Sequence, residues 1–227
     1  MEKEVLRALL ISTLFEKLSE QEVLKLMEGV EYKLVSYNRK EVYAHVGQPI
    51  EHVDMVVSGQ LNRKLVNKSG RSVTAGSYNI GQCTGLSIIF SKSGNWPVMV
   101  EASRPTVVLR MSIDSLLEIM KRDVRVQKLF ISFLSTLCID MVDALGMLTL
   151  HTAREKTAIF LLNESKRRNS VVLRFNISRQ EIADKLAIQK YSLQRTLTEF
   201  ANDETIMLQG KTITIIDREK LKSISNL

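Results

Sequence analysis

Residues 114–150 form a long stretch with one glycine and no proline, so little in it interrupts a helix. Apolar residues recur along it with the spacing 4, 3, 4, 4, 3, 4, which indicates a helix with an apolar stripe. That stripe consists of Val126, Phe130, Phe133, Leu137, Met141, Ala144 and Leu148. A second stripe makes the helix apolar on two faces and consists of Leu129, Leu134, Cys138, Val142 and Leu145.

A helix that is apolar on two faces must bury both of them. We expect one face to cover the domain that precedes it. The first stripe is typical of an a/d seam, and its simplest partner is the same helix of a second copy in a symmetric dimer. The alternative is an ordinary core helix packed within one subunit. We favour the dimer because the preceding domain is too small to cover so long a two-faced helix.

The preceding part of the chain has a sequence pattern typical of a β domain. Short runs rich in Val, Ile, Leu and Thr are separated by glycines at positions 47, 59, 70, 76, 81, 85 and 94. This pattern indicates an antiparallel sandwich or barrel, and helices would not tolerate so many glycines. Two short helices come first: Leu6 opens the apolar stripe of one, and a capping box from Ser19 to Glu22 starts the other.

The last third of the chain predicts a helix over 153–168, a strand over 171–175, two short helices and a hairpin that turns at Gln209-Gly210. The two short helices match a helix-turn-helix, because Ser178 and Glu181 form a capping box and the second helix restarts near Lys190.

Such a motif presents the outer residues of its second helix to base edges in the major groove of double-stranded DNA. Leu193 and Leu197 are expected to face inward. Lys211, at the tip of the hairpin, is placed for a backbone phosphate. The residues predicted to contact DNA are Ser178, Arg179, Gln180, Lys190, Tyr191, Ser192, Gln194, Arg195 and Lys211.

The charge distribution supports a polyanion partner for this third. Residues 150–227 carry 14 Lys and Arg against 9 Asp and Glu, whereas residues 1–149 carry 18 against 16. The alternatives are a winged helix that binds a protein and, more broadly, a signalling or scaffold protein that does not bind DNA.

Composition excludes several other classes. Cys83 and Cys138 are too few and too far apart for a zinc or iron–sulfur site or a disulfide framework, so we expect a reducing compartment and no metal or cofactor. No stretch reaches about 18 consecutive apolar residues, which predicts a cytoplasmic protein without a membrane partner. No nucleophile–base pair, P-loop, metal-binding HExxH or paired-carboxylate motif indicates an enzyme.

These features resemble the family of the cyclic-AMP receptor protein and FNR over nearly the whole chain. The segments that carry the resemblance are Ser178–Ile182, Lys190–Arg195 and the wing Gly210–Ile213. The family usually has Arg and Glu where Lys190 and Tyr191 stand, and Arg where Arg195 stands. The resemblance therefore implies base reading by Arg195, but not the family's target sequence. Its turn carries a glycine where Ala187 stands and a Ser or Thr cap where Gln189 stands.

The resemblance also implies an effector site, but one that has lost its cyclic-nucleotide chemistry. Members that bind cyclic AMP carry Gly-Glu-Leu and, about ten residues on, Arg-Ser or Arg-Thr. Here we match Gly81 to the glycine, followed by Gln82 and Cys83, while Trp96-Pro97 replaces the arginine pair. Burying a phosphate without a cation costs several kcal/mol, so we expect no binding of cyclic AMP. The candidate pocket comprises Gly81, Gln82, Cys83, Trp96, Ile139 and Asp140.

The residues that other sensing mechanisms of the family require are also missing from this sequence. An iron–sulfur cluster needs four cysteines, and His45 and His52 are more simply structural than haem ligands. Trp96 is most simply a core or pocket-lining aromatic, with a planar effector stacked on it as the lesser alternative. A redox switch at Cys83 is a weaker idea still.

The sequence thus predicts an α+β protein. It has an N-terminal double-stranded β-roll (a jelly roll like those that bind cyclic nucleotides) over 1–112, a dimerisation helix over 113–150 and a winged helix-turn-helix over 151–227. We expect a homodimeric transcription regulator with double-stranded DNA, an unknown small-molecule effector and, for an activator, RNA polymerase as partners.

Overall fold

The computed structural model describes residues 2–67 and 72–225, apart from the side chains of Met147 and Leu148. The chain divides into two compact units, the first running to Cys138 and the second beginning at Ile139. This division falls inside a long helix. The domain boundaries at 1–112, 113–150 and 151–227 remain predictions.

The first unit comprises α1 (Lys3–Leu10), α2 (Glu20–Leu26), β1 (Tyr32–Tyr37), β2 (Val42–Ala44), β3 (His52–Ser58), β4 (Leu61–Val66), β5 (Ser72–Tyr78), β6 (Met99–Ala102), β7 (Thr106–Ser112), α3 (Ile113–Arg122) and the start of α4 (Val124–Leu150). The second comprises the rest of α4 with α5 (Ala153–Arg168), β8 (Val172–Arg174), α6 (Arg179–Lys185), α7 (Lys190–Asn202), β9 (Ile206–Gln209), β10 (Thr212–Ile215) and α8 (Arg218–Ser225). The sequence did not predict α8.

Two antiparallel sheets form the predicted β-roll, one in the order β1-β7-β3 and the other in the order β2-β6-β4-β5. Side chains alternate across each strand, so Val108 of β7 packs inside the roll while Leu109 packs outside it. The interior is lined by Ala44, Val56, Leu61, Trp96, Val100, Ala102 and Val108. The predicted fold class is therefore confirmed.

The outer face of the β1-β7-β3 sheet is covered by helices. Val53 and Met55 of β3 pack there in one core with residues of α1, α2, α3 and the start of α4. The side chain of Ser112 caps α3 by accepting a hydrogen bond from the backbone N–H of Ser115 at 3.0 Å.

The region from 113 to 150 contains two helices rather than one. Asp123 adopts an extended conformation, with φ −145° and ψ 116°, and so ends α3. Its carboxylate then accepts a hydrogen bond from the backbone N–H of Arg125 at 2.8 Å and pairs with the Arg125 guanidinium at 2.6 Å. An acidic group favours the start of a helix, which explains why α4 begins here.

The N-terminal end of the predicted dimer seam lies in the core of the first unit. Val126 and Phe130 are buried in the core of the first unit, and Phe133 packs against that core. Leu137 is half-buried, whereas Met141 and Ala144 are exposed; the side chain of Leu148 lies outside the described residues. Val126, Phe130 and Phe133 therefore supply part of the cover for the β-roll, and the dimer role of the later positions stays a prediction.

The core of the second unit joins α5, α6, α7 and α8 to the three-stranded sheet β8-β10-β9. Leu161 of α5 and Phe200 of α7 are fully buried at its centre. A capping box between Thr152 and Glu155 starts α5, and Asn169 ends it in the left-handed region at φ 47°.

Candidate DNA-binding surface and effector cavity

The first helix of the helix-turn-helix, α6, begins at the predicted capping box. The Ser178 hydroxyl accepts a hydrogen bond from the Glu181 backbone N–H at 3.2 Å, and the Glu181 carboxylate accepts one from the Ser178 N–H at 2.7 Å. This second bond lowers the pKa of Glu181, with a further contribution from the Ser178 side chain. Ile182 and Ala183 face inward and are buried. The N-terminus of α6 is therefore fixed.

The second helix, α7, buries Leu193 and Leu197 and exposes the side on which we predicted base contacts. Tyr191 is 77% exposed, the highest value among the large hydrophobic residues of this unit apart from Leu150. Lys190, Gln194 and Arg195 are exposed beside it, whereas Ser192 is half-buried. Gln189 precedes the helix without making a side-chain cap.

The guanidinium of Arg195 is oriented by a neighbour one helical turn away. Its Nε donates a hydrogen bond to Oε1 of Glu199 at 2.9 Å. That bond raises the pKa of Arg195. Within the described residues the two terminal amino groups make no hydrogen bond, and these are the donors that can reach guanine O6 and N7.

The wing is the hairpin of β9 and β10, with Gly210 at φ 58° in its turn. Arg179 donates a hydrogen bond from Nη2 to the Gly210 carbonyl at 3.1 Å, which joins the start of α6 to the wing tip. Burial lowers the pKa of Arg179. A cavity of about 290 Å³ lies between these elements, bordered by Ser178, Gln180, Lys190 and Lys211 among others. Arg179 thus contacts the wing, in addition to its predicted contact with a phosphate.

The β-roll contains a separate cavity of about 310 Å³. Three aromatic rings that contact one another border it. The ring centres of Tyr37 and Tyr43 are 5.3 Å apart. Those of Tyr43 and Trp96 are 5.6 Å apart, with the two rings edge to face. Arg110 also lines it, together with Val42, Gln48, Pro49, Ile50, Glu51 and His52.

Arg110, the arginine that lines this cavity, already forms an ion pair with Asp54. Arg110, whose side chain is 18% exposed, contacts both carboxylate oxygens of the fully buried Asp54, with a shortest distance of 2.7 Å. Its Nη2 also donates to the Tyr37 hydroxyl at 2.7 Å. These bonds, led by those to Asp54, raise the pKa of Arg110. A ligand phosphate entering here would compete with a buried carboxylate for the same guanidinium.

Of the residues predicted for the effector pocket, Trp96 lines the cavity, but Gly81, Gln82 and Cys83 do not. A Cβ on Gly81 would lie 2.6 Å from Ile11, and Cys83 belongs to the core outside the roll. Gln82 is exposed and accepts a hydrogen bond from the Asn79 N–H at 2.8 Å. The glycine beside Trp96 is Gly85 instead, because a Cβ there would lie 3.6 Å from the indole.

The remaining predicted pocket residues, Ile139 and Asp140, are exposed on α4 in the second unit, so their role stays a prediction. Sequence reasoning missed Arg63. Its guanidinium lies 5.1 Å from the centre of the Tyr78 ring, and its buried Nε has no hydrogen-bond partner among the described residues. Within residues 2–67 and 72–225 no group of three or more His, Cys, Asp or Glu side chains could hold a metal ion.

A β-roll of the cyclic-nucleotide-binding type joined by a long helix to a winged helix-turn-helix defines a DNA-binding transcription regulator. The comparisons agree: residues 34–123 match the cyclic nucleotide-binding domain and residues 155–224 match the Crp-like helix-turn-helix domain. Both domains, in this order, are those of transcription regulators of the Crp/FNR type, as the sequence predicted.

Two curated relatives align with 184 residues of the chain. The transcriptional activator protein Anr of Pseudomonas protegens is 26% identical, and Anr of Pseudomonas aeruginosa is 25% identical; each alignment covers 79% of this chain and 75% of the relative. FixK2 from Bradyrhizobium japonicum has the same fold, with a TM-score of 0.64 and 22% identity over 86% of this chain and 98% of that one. Both curated relatives are named as transcriptional activator proteins.

Proposed function

We propose that this protein regulates transcription as a homodimer that binds an inverted-repeat operator in double-stranded DNA. The observation that carries the proposal is an exposed row of apolar side chains along α4. Ile131, Met141 and Leu145 are 60%, 65% and 60% exposed in the single chain. Water-exposed apolar side chains in a continuous row favour burial against a partner.

This row has the spacing of a coiled-coil seam. Ile131, Leu134, Cys138, Met141 and Leu145 follow one another at intervals of 3, 4, 3 and 4 residues. The row shares Met141 with the stripe predicted first and Leu134, Cys138 and Leu145 with the second stripe, and Leu134 is half-buried against the core of the first unit. Measured from Phe130 at about 100° per residue, the row extends from about 20° around the helix, at Met141, to about 100°, at Ile131. One helix can therefore cover the β-roll and meet its copy.

The same helix is long and apolar enough to span a membrane by length and composition, over Val124–Gly146. We infer a dimer in the cytoplasm instead, because the start of that segment is buried in the core of the first unit. Two such helices pairing along Ile131–Leu145 would cover much of the remaining apolar surface.

Each subunit of the dimer would place α7 in the major groove of one half-site. Lys190, Tyr191, Ser192, Gln194 and Arg195 would face base edges and nearby phosphates. Ser178, Arg179, Gln180 and Lys211 would contact the backbone from the start of α6 and from the wing. For an activator, as the two relatives are named, RNA polymerase is a further partner.

The effector would be a small molecule other than cyclic AMP. Trp96 stands where the resemblance places the phosphate-binding arginine, and Arg110 is paired with Asp54. A ligand in the roll would act by changing how the two α4 helices pack and so the spacing of the two α7 helices.

Selecting binding sites from random duplexes tests the proposal: recovered sites should be inverted repeats with half-sites about one helical turn apart. Asymmetric single sites would contradict the dimer geometry.

A further inference from the structure

Four basic side chains border a cavity of about 330 Å³ in the second unit that the helix-turn-helix surface leaves unused. Arg167 and Arg168 end α5, Arg174 ends β8 and Lys185 ends α6. Among the described residues that line the cavity, Glu164 is the one acid. The cavity therefore carries an excess of positive charge.

Part of this cluster is held rigidly. Arg167 and Arg168 both pair with Glu164 at 2.7 Å. Arg168 also donates from Nη1 to the Arg174 carbonyl at 2.6 Å and lies 5.0 Å from the centre of the Phe175 ring. Burial raises the pKa of Glu164, but the hydrogen bonds from the two arginines outweigh it and lower the pKa overall. Glu164 thus remains charged and keeps both guanidinium groups in place.

The other two cations are less closely paired, although Lys185 is near enough to Glu181 to contribute to the lowered pKa of that carboxyl. The side chains of Arg174 and Lys185 are exposed, and neither makes an ion pair in the part of the chain that the structure describes. One acid against four bases leaves a surface that attracts an anion, and a guanidinium suits phosphate because it can donate two parallel hydrogen bonds.

We propose that this cluster binds the phosphate backbone of the operator beyond the half-site that α7 reads. The basic cavity adjoins the cavity between α6 and the wing, because Phe175 and Ile177 line both. The positive surface is therefore continuous with the DNA-binding surface, but its cations come from different elements. A backbone that leaves the helix-turn-helix on this side meets Arg174 and Lys185. The inference rests on the proposed DNA-binding function.

The test compares two duplexes with the same selected operator, one of about 20 base pairs that ends at the half-sites and one of about 40 base pairs. The double variant Arg174→Ala/Lys185→Ala should bind the long duplex about tenfold more weakly than the parent. In a plot of log affinity against log salt concentration, the slope for the variant should be less steep than that of the parent by about two per subunit. On the short duplex its affinity should equal that of the parent.

The matched control, Arg218→Ala/Lys222→Ala, removes the same charge from exposed residues of α8 that line neither cavity. It should bind both duplexes like the parent. Equal losses on the two duplexes would overturn the inference, because the cluster would then contact the half-site itself. No loss on either would also overturn it and point to a non-DNA anion. If the parent bound neither duplex, the proposed function itself would have failed. Thermal unfolding of both variants checks that they fold.

Discussion

The backbone N–H of Ile188 donates a hydrogen bond to the Ala183 carbonyl at 3.0 Å and closes the end of α6. A second bond runs from the Ala187 N–H to the Asp184 carbonyl at 3.1 Å. This pair of bonds requires a left-handed residue between them, and Ala187 adopts φ 50°. The turn of the helix-turn-helix therefore holds an alanine in a left-handed conformation that glycine adopts more readily.

We predict that Ala187→Gly stabilises the protein. A left-handed conformation costs a residue with a Cβ about 1–2 kcal/mol, whereas glycine adopts it freely but loses more entropy on folding. The free energy of unfolding should rise by about 0.5–1 kcal/mol, measured by urea denaturation. The control Ala201→Gly lies in α7 and should lower it by about 1 kcal/mol. A loss of stability with Ala187→Gly would contradict the strained turn.

Arg195 and Lys211 should differ in how their loss affects DNA binding. Because the terminal amino groups of Arg195 are free to reach a base, Arg195→Ala should cost about 1–3 kcal/mol per half-site and relax the preference at one base pair. Lys211→Ala should weaken binding to all sequences alike and reduce the salt slope by about one per subunit. Competition binding with specific and random duplexes distinguishes the two. Equal losses on both duplexes for Arg195→Ala would exclude base reading.

Dimer formation should depend on the exposed row of α4. Leu145→Glu would place two carboxylates against each other across the two-fold axis, so we expect monomers in analytical ultracentrifugation. Thr136→Glu is the matched control, because Thr136 is exposed on the side of α4 away from the row. It should remain dimeric. If the Leu145→Glu protein still sedimented as a dimer, the Ile131–Leu145 seam would be wrong.

Cyclic AMP should not bind the β-roll. A ligand that binds the native state raises its stability, so millimolar cyclic AMP should leave the melting temperature unchanged. The reason is that Asp54 occupies Arg110 and that Trp96 stands at the position of the phosphate-binding arginine. Because Arg63 is a cation of β4 beside Tyr78 with an unpartnered Nε among the described residues, the Arg63→Ala variant should be measured beside the parent. A rise in melting temperature that Arg63→Ala abolishes would show that Arg63 replaces the missing arginine.

The two cysteines should react at different rates. Burial raises the pKa of Cys83 to about 12, so at neutral pH the group is a protonated thiol, which is not nucleophilic. Cys138 is exposed. In the Leu145→Glu monomer a thiol reagent should therefore modify Cys138 within minutes and Cys83 only after unfolding. Fast modification of Cys83 in the folded protein would restore it as a redox candidate.

The sequence by itself determined the elements whose chemistry is local. The capping box at Ser178, the glycine turn of the wing at Gly210 and the inward positions of Leu193 and Leu197 all depend on neighbours within a few residues. For the same reason the recognition face of α7 and the glycine-separated strands were predictable.

Tertiary structure alone decided the surface against which each apolar segment packs. Both stripes of α4 are apolar at helical spacing, and only packing shows that Val126 and Phe130 cover the β-roll while Val142 and Leu145 stay exposed in the single chain. Cys83 and Trp96 both lie between β5 and β6 but belong to different cores, Cys83 outside the roll and Trp96 inside it. The spacing of apolar residues predicts that a side chain is buried. Which surface buries it depends on contacts between residues that are far apart in the sequence.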